Sequence, residues 1–339
     1  MKLIRTEDAV GQVLCHDMTQ IIPGQYKDAR FRKGHIVTEE DIPVLLSMGK
    51  ENLYVWEMRE GILHENDAAE RMCALCLNDG MERSEVKEGK IELRAARAGL
   101  FRVDREKLNA VNAIDDLMIA TRHGDTPVQP GDKLCGTRVI PLVIEESKLL
   151  EAERIVGDRP ILELLPYKLR RAAVITTGSE VFHGRIEDAF TPVLVNKLAF
   201  YGIEMTEHVT VDDALEHILS AIREMRQKNV DLILCTGGMS VDPDDNTPGA
   251  IKASGARIVT YGAPVLPGAM FLLGYFEDGM PILGLPGCVM YAAATIFDLA
   301  MPRIAAGVEM NKNDFVQMGE GGLCLGCKPC RYPLCPFGK

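Results

Sequence analysis

From Leu169 onward the chain alternates between two apolar rhythms. An unbroken run, Ala172 to Thr176, stops at Thr177-Gly178-Ser179; a helical pattern covers about Thr191 to Tyr201, and a strand-like stretch follows from Glu204 to Val211. Strand, helix, strand in that order is the pattern of a parallel sheet, whose neighbouring strands need a crossover between them. Leu215, Ile218, Leu219, Ile222 and Met225 then recur at i, i+3, i+4, i+7 and i+10, so one helical stripe faces a core. Asp231 to Cys235 reads as a short strand buried on both faces and stops at Thr236-Gly237-Gly238. Phe271 to Tyr275 and Pro281 to Leu285 flank Glu277-Asp278-Gly279 and predict a hairpin, and a last helix is expected from about Cys288 to Ala306. The pattern predicts one α/β domain over residues 166–310.

The preceding residues give shorter signals. Residues 1–60 read as a small α+β unit: turns at Ile21-Ile22-Pro23-Gly24 and Lys33-Gly34-His35, a helix from Glu39 to Ser47, and a closing strand Leu53-Tyr54-Val55-Trp56. Residues 61–165 read as a helix plus a β-rich unit. Its helices are expected at His64 to Leu77, started by Asn66 or Asp67, and at Asp104 to Val111. The turn Gln129-Pro130-Gly131-Asp132 leads into a strand, Thr137 to Ile144, and the charged stretch Glu145 to Arg159 reads as a connecting helix or a linker. Residues 311–339 read as a flexible cysteine-rich tail.

Composition narrows the chemistry. The 339 residues favour two or three domains. A formal net charge of -11 opposes a passive grip on nucleic acid or an anionic membrane, so an anionic ligand must be held locally by backbone N–H groups, helix N-termini or a bridging cation. No apolar h-region follows the first residues, and no apolar stretch reaches about 18 residues; a soluble protein is expected. Of the ten cysteines, Cys15, Cys135, Cys235 and Cys288 stand singly, as reduced thiols of a cytoplasmic protein do. Cys73 and Cys76 share one side of a predicted helix and read as packing.

Three glycine turns close the predicted strands: Thr177-Gly178-Ser179-Glu180, Thr236-Gly237-Gly238-Met239-Ser240 and Leu285-Pro286-Gly287. Ligands of open α/β sheets sit at the carboxyl ends of strands, and glycine lets backbone N–H groups approach a phosphate without a Cβ in the way. One such turn alone is an ordinary connection; three together point to a ligand. Around them stand Glu180, Glu187, Asp188, Asp212, Asp213, Asp242, Asp244 and Asp245. Carboxylates beside a phosphate repel it unless Mg²⁺ bridges them, although Asp188, Asp212 and Asp213 each also fit a simple helix cap.

These turns, with Gly184-Arg185-Ile186-Glu187-Asp188, Val211-Asp212-Asp213 and the run from Ser240 to Asp245, recur in an order that resembles the molybdopterin-binding domain shared by molybdopterin adenylyltransferases and molybdopterin molybdotransferases, over about 140 residues. The resemblance implies a three-layer α/β domain with a mostly parallel sheet, binding molybdopterin or its adenylylated form across the strand ends with Mg²⁺, and with ATP or molybdate as co-substrate. It implies a cradle of Thr177, Gly178, Ser179, Thr236, Gly237, Gly238, Ser240, Thr247, Pro286 and Gly287, lined by Glu180 and Asp188, with Asp213 and Asp245 in metal-handling or catalytic roles. It also suggests a homo-oligomer. Thr247-Pro248 matches the adenylyltransferase branch, whereas Gly237-Gly238-Met239-Ser240-Val241 is closer to the molybdotransferase branch. Phe190, Ala269 and Cys288 stand where the family carries an asparagine, a lysine and a polar residue.

The tail carries Cys324, Cys327, Cys330 and Cys335 as C-x2-C-x2-C-x4-C-P, one residue longer than the ferredoxin spacing before its last cysteine. Four thiols within twelve residues fit an iron–sulfur cluster, a Zn²⁺ site or transfer of a soft metal. Two functional readings follow. One is an enzyme of molybdenum-cofactor biosynthesis, performing adenylyl transfer or molybdate insertion. The other is a non-catalytic carrier or sensor that hands the cofactor, or a metal, to a molybdoenzyme.

Overall fold

The computed structural model describes residues 2–22, 26–55, 60–240, 242–243 and 245–339. The chain forms two compact units, one of Met1–Ala96, Val103–Arg122 and Gly131–Glu163, the other of Arg97–Arg102, His123–Pro130 and Leu164–Lys339. The separate units expected at 1–60 and 61–165 are therefore grouped together. The second unit's continuous stretch starts at Leu164, and the unit also takes in Arg97–Arg102 and His123–Pro130 from within the 61–165 segment.

In the first unit, Lys2–Arg5 pairs antiparallel with Asn52–Val55, and Met18–Ile22 pairs with Tyr26–Phe31. Trp56 and the Pro23-Gly24 turn lie outside the described residues. A four-stranded sheet follows the spatial order Met81–Arg83, Lys90–Ala95, Lys133–Val139, Leu117–Thr121. The strand expected at 137–144 is thus two strands, Lys133–Val139 and Val143–Glu145. The first long helix, Glu65–Ala74, is capped two positions before the earlier of the two expected starts, by the His64 ring, which accepts the Asn66 amide at 3.2 Å. The charged stretch after Glu145 is a helix, Glu146–Val156. Arg71 clamps it to Glu65–Ala74 with bidentate bonds to Glu153 of 2.7 and 2.8 Å and a third to Glu146 of 2.8 Å. Cys73 and Cys76 are both buried, as packing requires. A hydrogen bond with Cys135, added to burial, drives the Cys76 thiol far from ionisation.

The second unit carries the predicted α/β domain. Its strands are β1 (Arg171–Thr177), β2 (Glu204–Val211), β3 (Leu232–Thr236), β4 (Arg257–Tyr261), β5 (Leu272–Tyr275) and β6 (Pro281–Leu285). They form one six-stranded sheet in the order β2-β1-β3-β6-β5-β4. β2, β1, β3 and β6 run parallel, and the β5–β6 hairpin is antiparallel with Leu272 opposite Gly284. Helices are α1 (Ser179–Phe182), α2 (Phe190–Ala199), α3 (Leu215–Arg226), α4 (Thr247–Ala253), α5 (Ile296–Ala305) and α6 (Lys312–Val316).

Side-chain alternation along the strands builds the three layers. Ala172, Val174, Leu232, Leu234 and Leu283 pack with Leu194 and Leu198 of α2 and Phe297, Ala300 and Met301 of α5. The intervening Ala173, Ile175, Ile233, Cys235 and Ile282 pack on the opposite face with Ile218, Leu219, Ile222 and Met225 of α3 and Ile251 of α4. The helix expected from Cys288 starts later. Gly287–Met290 is a 3₁₀ turn, and α5 begins after a capping box in which Thr295 accepts the Phe297 amide while Asp298 accepts the Thr295 amide at 2.8 Å.

The 311–339 segment is packed rather than loose, which corrects the expected flexible tail. α6 is opened by an Asn311/Asp314 capping box. The Leu266 amide donates to the Gly322 carbonyl and the Cys324 amide to the Leu266 carbonyl, both at 2.8 Å. Tyr332 donates its hydroxyl to the Asp298 carbonyl at 2.6 Å, and Phe337 joins the core beneath α5. The buried Phe337 and half-buried Tyr332 rings give this glycine- and proline-rich stretch apolar area with which to dock.

Candidate functional site

The register of the parallel strands sets the three glycine turns side by side. Thr176 lies opposite Thr236, and Thr236 opposite Leu285, so β1, β3 and β6 end level and their turns start at one sheet edge. The first two touch through backbone. Gly237 has φ +84°, and a Cβ there would stand 2.2 Å from the Thr177 carbonyl oxygen. At Gly238, φ +54°, a Cβ would meet the Thr247 hydroxyl at 2.8 Å. Glycine is thus required twice over, by conformation and by space. The Thr177 hydroxyl locks the arrangement by donating to the Thr236 carbonyl at 3.0 Å and lying 3.1 Å from the Thr247 hydroxyl.

The first two glycine turns are each bonded to one of the two aspartates singled out for metal handling or catalysis. The Asp213 carboxylate, just beyond β2, accepts the Ser179 amide at 2.7 Å, and the Asn246 side chain donates to the Asp213 carbonyl at 2.9 Å. The Asp245 carboxylate accepts the Ser240 amide at 2.8 Å. The two amides that would face an anion are therefore satisfied by carboxylates. Glu180 is exposed at the first turn, with its carboxylate 3.5 Å from where a Gly178 Cβ would stand. Asp244 lies outside the described residues. Pro286 is buried and Gly287 exposed at the third turn. Burial pushes the half-buried Cys288 thiol up, so it is no ready nucleophile.

On the other face of the same edge a second polar cluster forms. Asp188 accepts the Phe190 and Thr191 amides at 2.8 and 3.0 Å, confirming that it caps α2, and also the hydroxyls of Thr191 and Thr176 at 2.6 and 2.9 Å. The His208 ring from β2 lies 3.0 Å from the Thr176 hydroxyl and 3.6 Å from the Asp188 carboxylate. Burial alone would raise the Asp188 carboxyl, but the donated bonds from Thr191, Thr176 and Phe190 outweigh it and hold the group below the ordinary carboxylate value. Asp212 accepts the Ala214 amide at 3.1 Å ahead of α3 and pairs with His217 at 2.7 Å. Phe190, standing where the family has asparagine, is turned into the core.

Sequence reasoning did not single out Thr176, Thr191, His208 or Tyr261, whose hydroxyl donates to the Met239 carbonyl at 3.0 Å. Nothing in their spacing marks them; only the fold assembles them. One further atom bears on a ligand: the Thr236 hydroxyl oxygen is buried at the turn and has no hydrogen-bond partner. Such orphaned buried polar atoms are rare in folded proteins, and this one lies at the edge where a cradle was expected. The four tail cysteines are not brought into a metal-ligand cluster; among the described residues no three His, Cys, Asp or Glu side chains are grouped to hold one ion.

A three-layer sheet whose parallel strands end in abutting glycine turns flanked by aspartates is an α/β ligand-binding domain of the kind that works at its strand ends. Residues 173–306 match the family described as a probable molybdopterin binding domain, and this segment is a domain of the molybdopterin-binding family. Residues 3–57 match a domain of unknown function. A CinA-like protein of Shewanella frigidimarina is 38% identical over 87 residues, 25% of this chain and 20% of that protein. A CinA-like protein of Mycobacterium avium is 36% identical over 78 residues, 23% of this chain and 18% of that one. The chain thus spans about a fifth of the length of these relatives. Two solved structures share 19 to 20% identity: a CinA protein of unknown function from Thermoplasma acidophilum, covering 40% of this chain and 98% of its own with a TM-score of 0.35, and the molybdopterin biosynthesis enzyme MoaB from Thermus thermophilus, covering 43% and 98% with a TM-score of 0.34. No helix among the described residues is long and apolar enough to cross a membrane.

Proposed function

We propose that the edge formed by the turns after β1, β3 and β6 binds molybdopterin or its adenylylated form, and that the protein acts in molybdenum-cofactor biosynthesis. The observation that carries this reading is the abutment of Gly237 on the Thr177 carbonyl, with an aspartate bonded to each neighbouring serine amide. The amides of Ser179 and Ser240 are the donors for a phosphate oxygen. Asp213 and Asp245, exchanging those amides for Mg²⁺, would hold the cation beside it. Bound Mg²⁺ would supply neutralisation of phosphate charge. The domain's own residues then bind, orient and screen; this is the division of labour that phosphoryl-group chemistry needs.

Two reactions fit this site. In adenylyl transfer a terminal phosphate oxygen of the pterin attacks the α-phosphorus of ATP and pyrophosphate leaves. In molybdate insertion the two pterin sulfurs bind molybdenum and displace one oxygen as water, while a water attacks the pterin phosphoanhydride and AMP leaves. A second reading, a carrier that binds without either reaction, is favoured by one feature: Ala269 offers no positive charge where the family carries a lysine.

The deciding experiment incubates anaerobically purified full-length protein with molybdopterin and Mg²⁺, with and without ATP, and follows bound pterin and free pyrophosphate in the same tube. ATP-dependent pyrophosphate identifies the adenylyltransferase. AMP release from adenylylated pterin on adding molybdate identifies insertion, and binding alone identifies the carrier. No binding of either pterin form overturns the proposal.

A further inference from the structure

All four tail cysteines line one cavity of about 440 Å³, whose walls also include Pro267, Lys328, Arg331, Tyr332 and Phe337. Cys324 and Cys335 are half-buried and packed against the core of the second unit, while Cys327 and Cys330 are exposed at its rim. The loop that carries them is closed: the Gly338 amide donates to the Gly321 carbonyl at 2.9 Å, the Cys324 amide is fixed to Leu266, and Tyr332 and Phe337 anchor the return limb. Four thiols around one cavity on a fastened loop are a different object from four thiols on a loose tail.

We infer that Cys324, Cys327, Cys330 and Cys335 hold a four-iron, four-sulfide cluster in this cavity. A single zinc ion draws four sulfurs to about 2.3 Å from one point, whereas these four thiols are spread around a cavity of about 440 Å³. A cubane presents its irons at separate corners and meets thiols spread around a cavity. The C-x2-C-x2-C run followed by a more distant Cys-Pro is also close to the ligand order of such clusters. Lys328 and Arg331 in the wall oppose the negative charge that four thiolates bring, which favours a bound cluster. Acquisition from a cluster carrier is ligand exchange: four thiols release their protons, four iron–sulfur bonds to the protein form, the carrier's ligands depart, and no oxidation state changes. This inference is independent of the pterin site.

The test is metal and sulfide analysis of the full-length protein purified without oxygen, together with its visible absorption. About four irons and four acid-labile sulfides per chain, with a thiolate-to-iron charge-transfer band, are expected. The double variant Cys327→Ser/Cys330→Ser, changed only at exposed positions, should lose at least half of both while keeping the wild-type circular dichroism and unfolding midpoint of its metal-free form. One zinc per chain, two irons with two sulfides, a metal-free wild type, or full iron and sulfide in the double variant would each overturn the inference.

Discussion

Asp213 reaches across thirty-four residues of chain to accept the Ser179 amide at 2.7 Å. The bond ties the first glycine turn to the end of β2 and leaves the Ser179 amide satisfied by a carboxylate. Asp213→Asn keeps an acceptor of the same size but removes the charge. It should cost no more than about 1 kcal/mol of stability, since one hydrogen bond is weakened rather than lost, while weakening Mg²⁺-dependent pterin binding at least tenfold. Calorimetric titration with and without Mg²⁺ reads this directly, and equal affinities would remove Asp213 from the metal role.

Asp245→Asn should follow the same course at the second turn, since its carboxylate accepts the Ser240 amide. Turnover, measured as pyrophosphate or AMP release, should vanish while circular dichroism stays unchanged. A variant with full activity would mean that Asp245 serves only to shape the turn.

Gly237→Ala forces a side chain into a left-handed backbone and onto the Thr177 carbonyl. The conformation alone costs about 1–2 kcal/mol, and with the clash a loss of about 2–4 kcal/mol is expected in urea unfolding. Gly184 has φ +66° but open space around it, so Gly184→Ala should lose only about 1 kcal/mol. Similar losses at both would show that the turns are not in contact.

Acid should loosen the domain through Asp188. Its folded carboxyl lies below the ordinary value of 3.8, so the unfolded chain binds the proton more readily and stability rises with pH across this range. The contribution is complete above the unfolded value and disappears as pH falls through the folded one. Unfolding midpoints measured from pH 6 down to pH 2 should decline less steeply for Asp188→Asn, and parallel curves would exclude this origin.

Lys197 and Asp298 form a 2.6 Å ion pair with side chains 15% and 12% exposed, and Asp298 also closes the capping box of α5. Lys197→Met leaves that carboxylate without its cation and should cost about 2–3 kcal/mol. The docked C-terminal segment makes a companion claim: Phe337→Ala should cost about 3–4 kcal/mol, whereas Leu325→Ala, at a side chain 73% exposed, should cost under about 0.5 kcal/mol. Indistinguishable midpoints for these two would mean the segment does not pack in solution.

The interior of the domain was legible because its strands are buried on both faces. Ala172 to Thr177, Leu232 to Thr236 and Pro281 to Leu285 are buried, largely apolar runs closed by a glycine turn. β4 escaped notice because Arg257–Tyr261 mixes exposed and half-buried positions at the sheet edge. The start of α5 was misplaced although its Thr295/Asp298 box is a written signal; the apolar residues after Cys288 masked it. At the site, the glycine turns could be read from sequence, but the bond from Ser179 to Asp213 could not, since it exists only once β1 and β2 are paired. The cluster of Thr176, Asp188, Thr191 and His208 depends on the same assembly. Burial of Tyr332 and Phe337 follows no period, so nothing distinguished their stretch from a free tail.

Thr176 and Thr177 are neighbours in sequence yet serve opposite sides of the sheet, one bonded to Asp188 beneath α2, the other to Thr247 of α4. A one-residue insertion or deletion in β1 would exchange them, handing each hydroxyl to the wrong side and carrying every core residue of the strand with it. Point changes along Ala172 to Ile175 can be absorbed by neighbouring side chains, but a shift of frame cannot. Evolution is therefore free to respell this strand and bound to preserve its length.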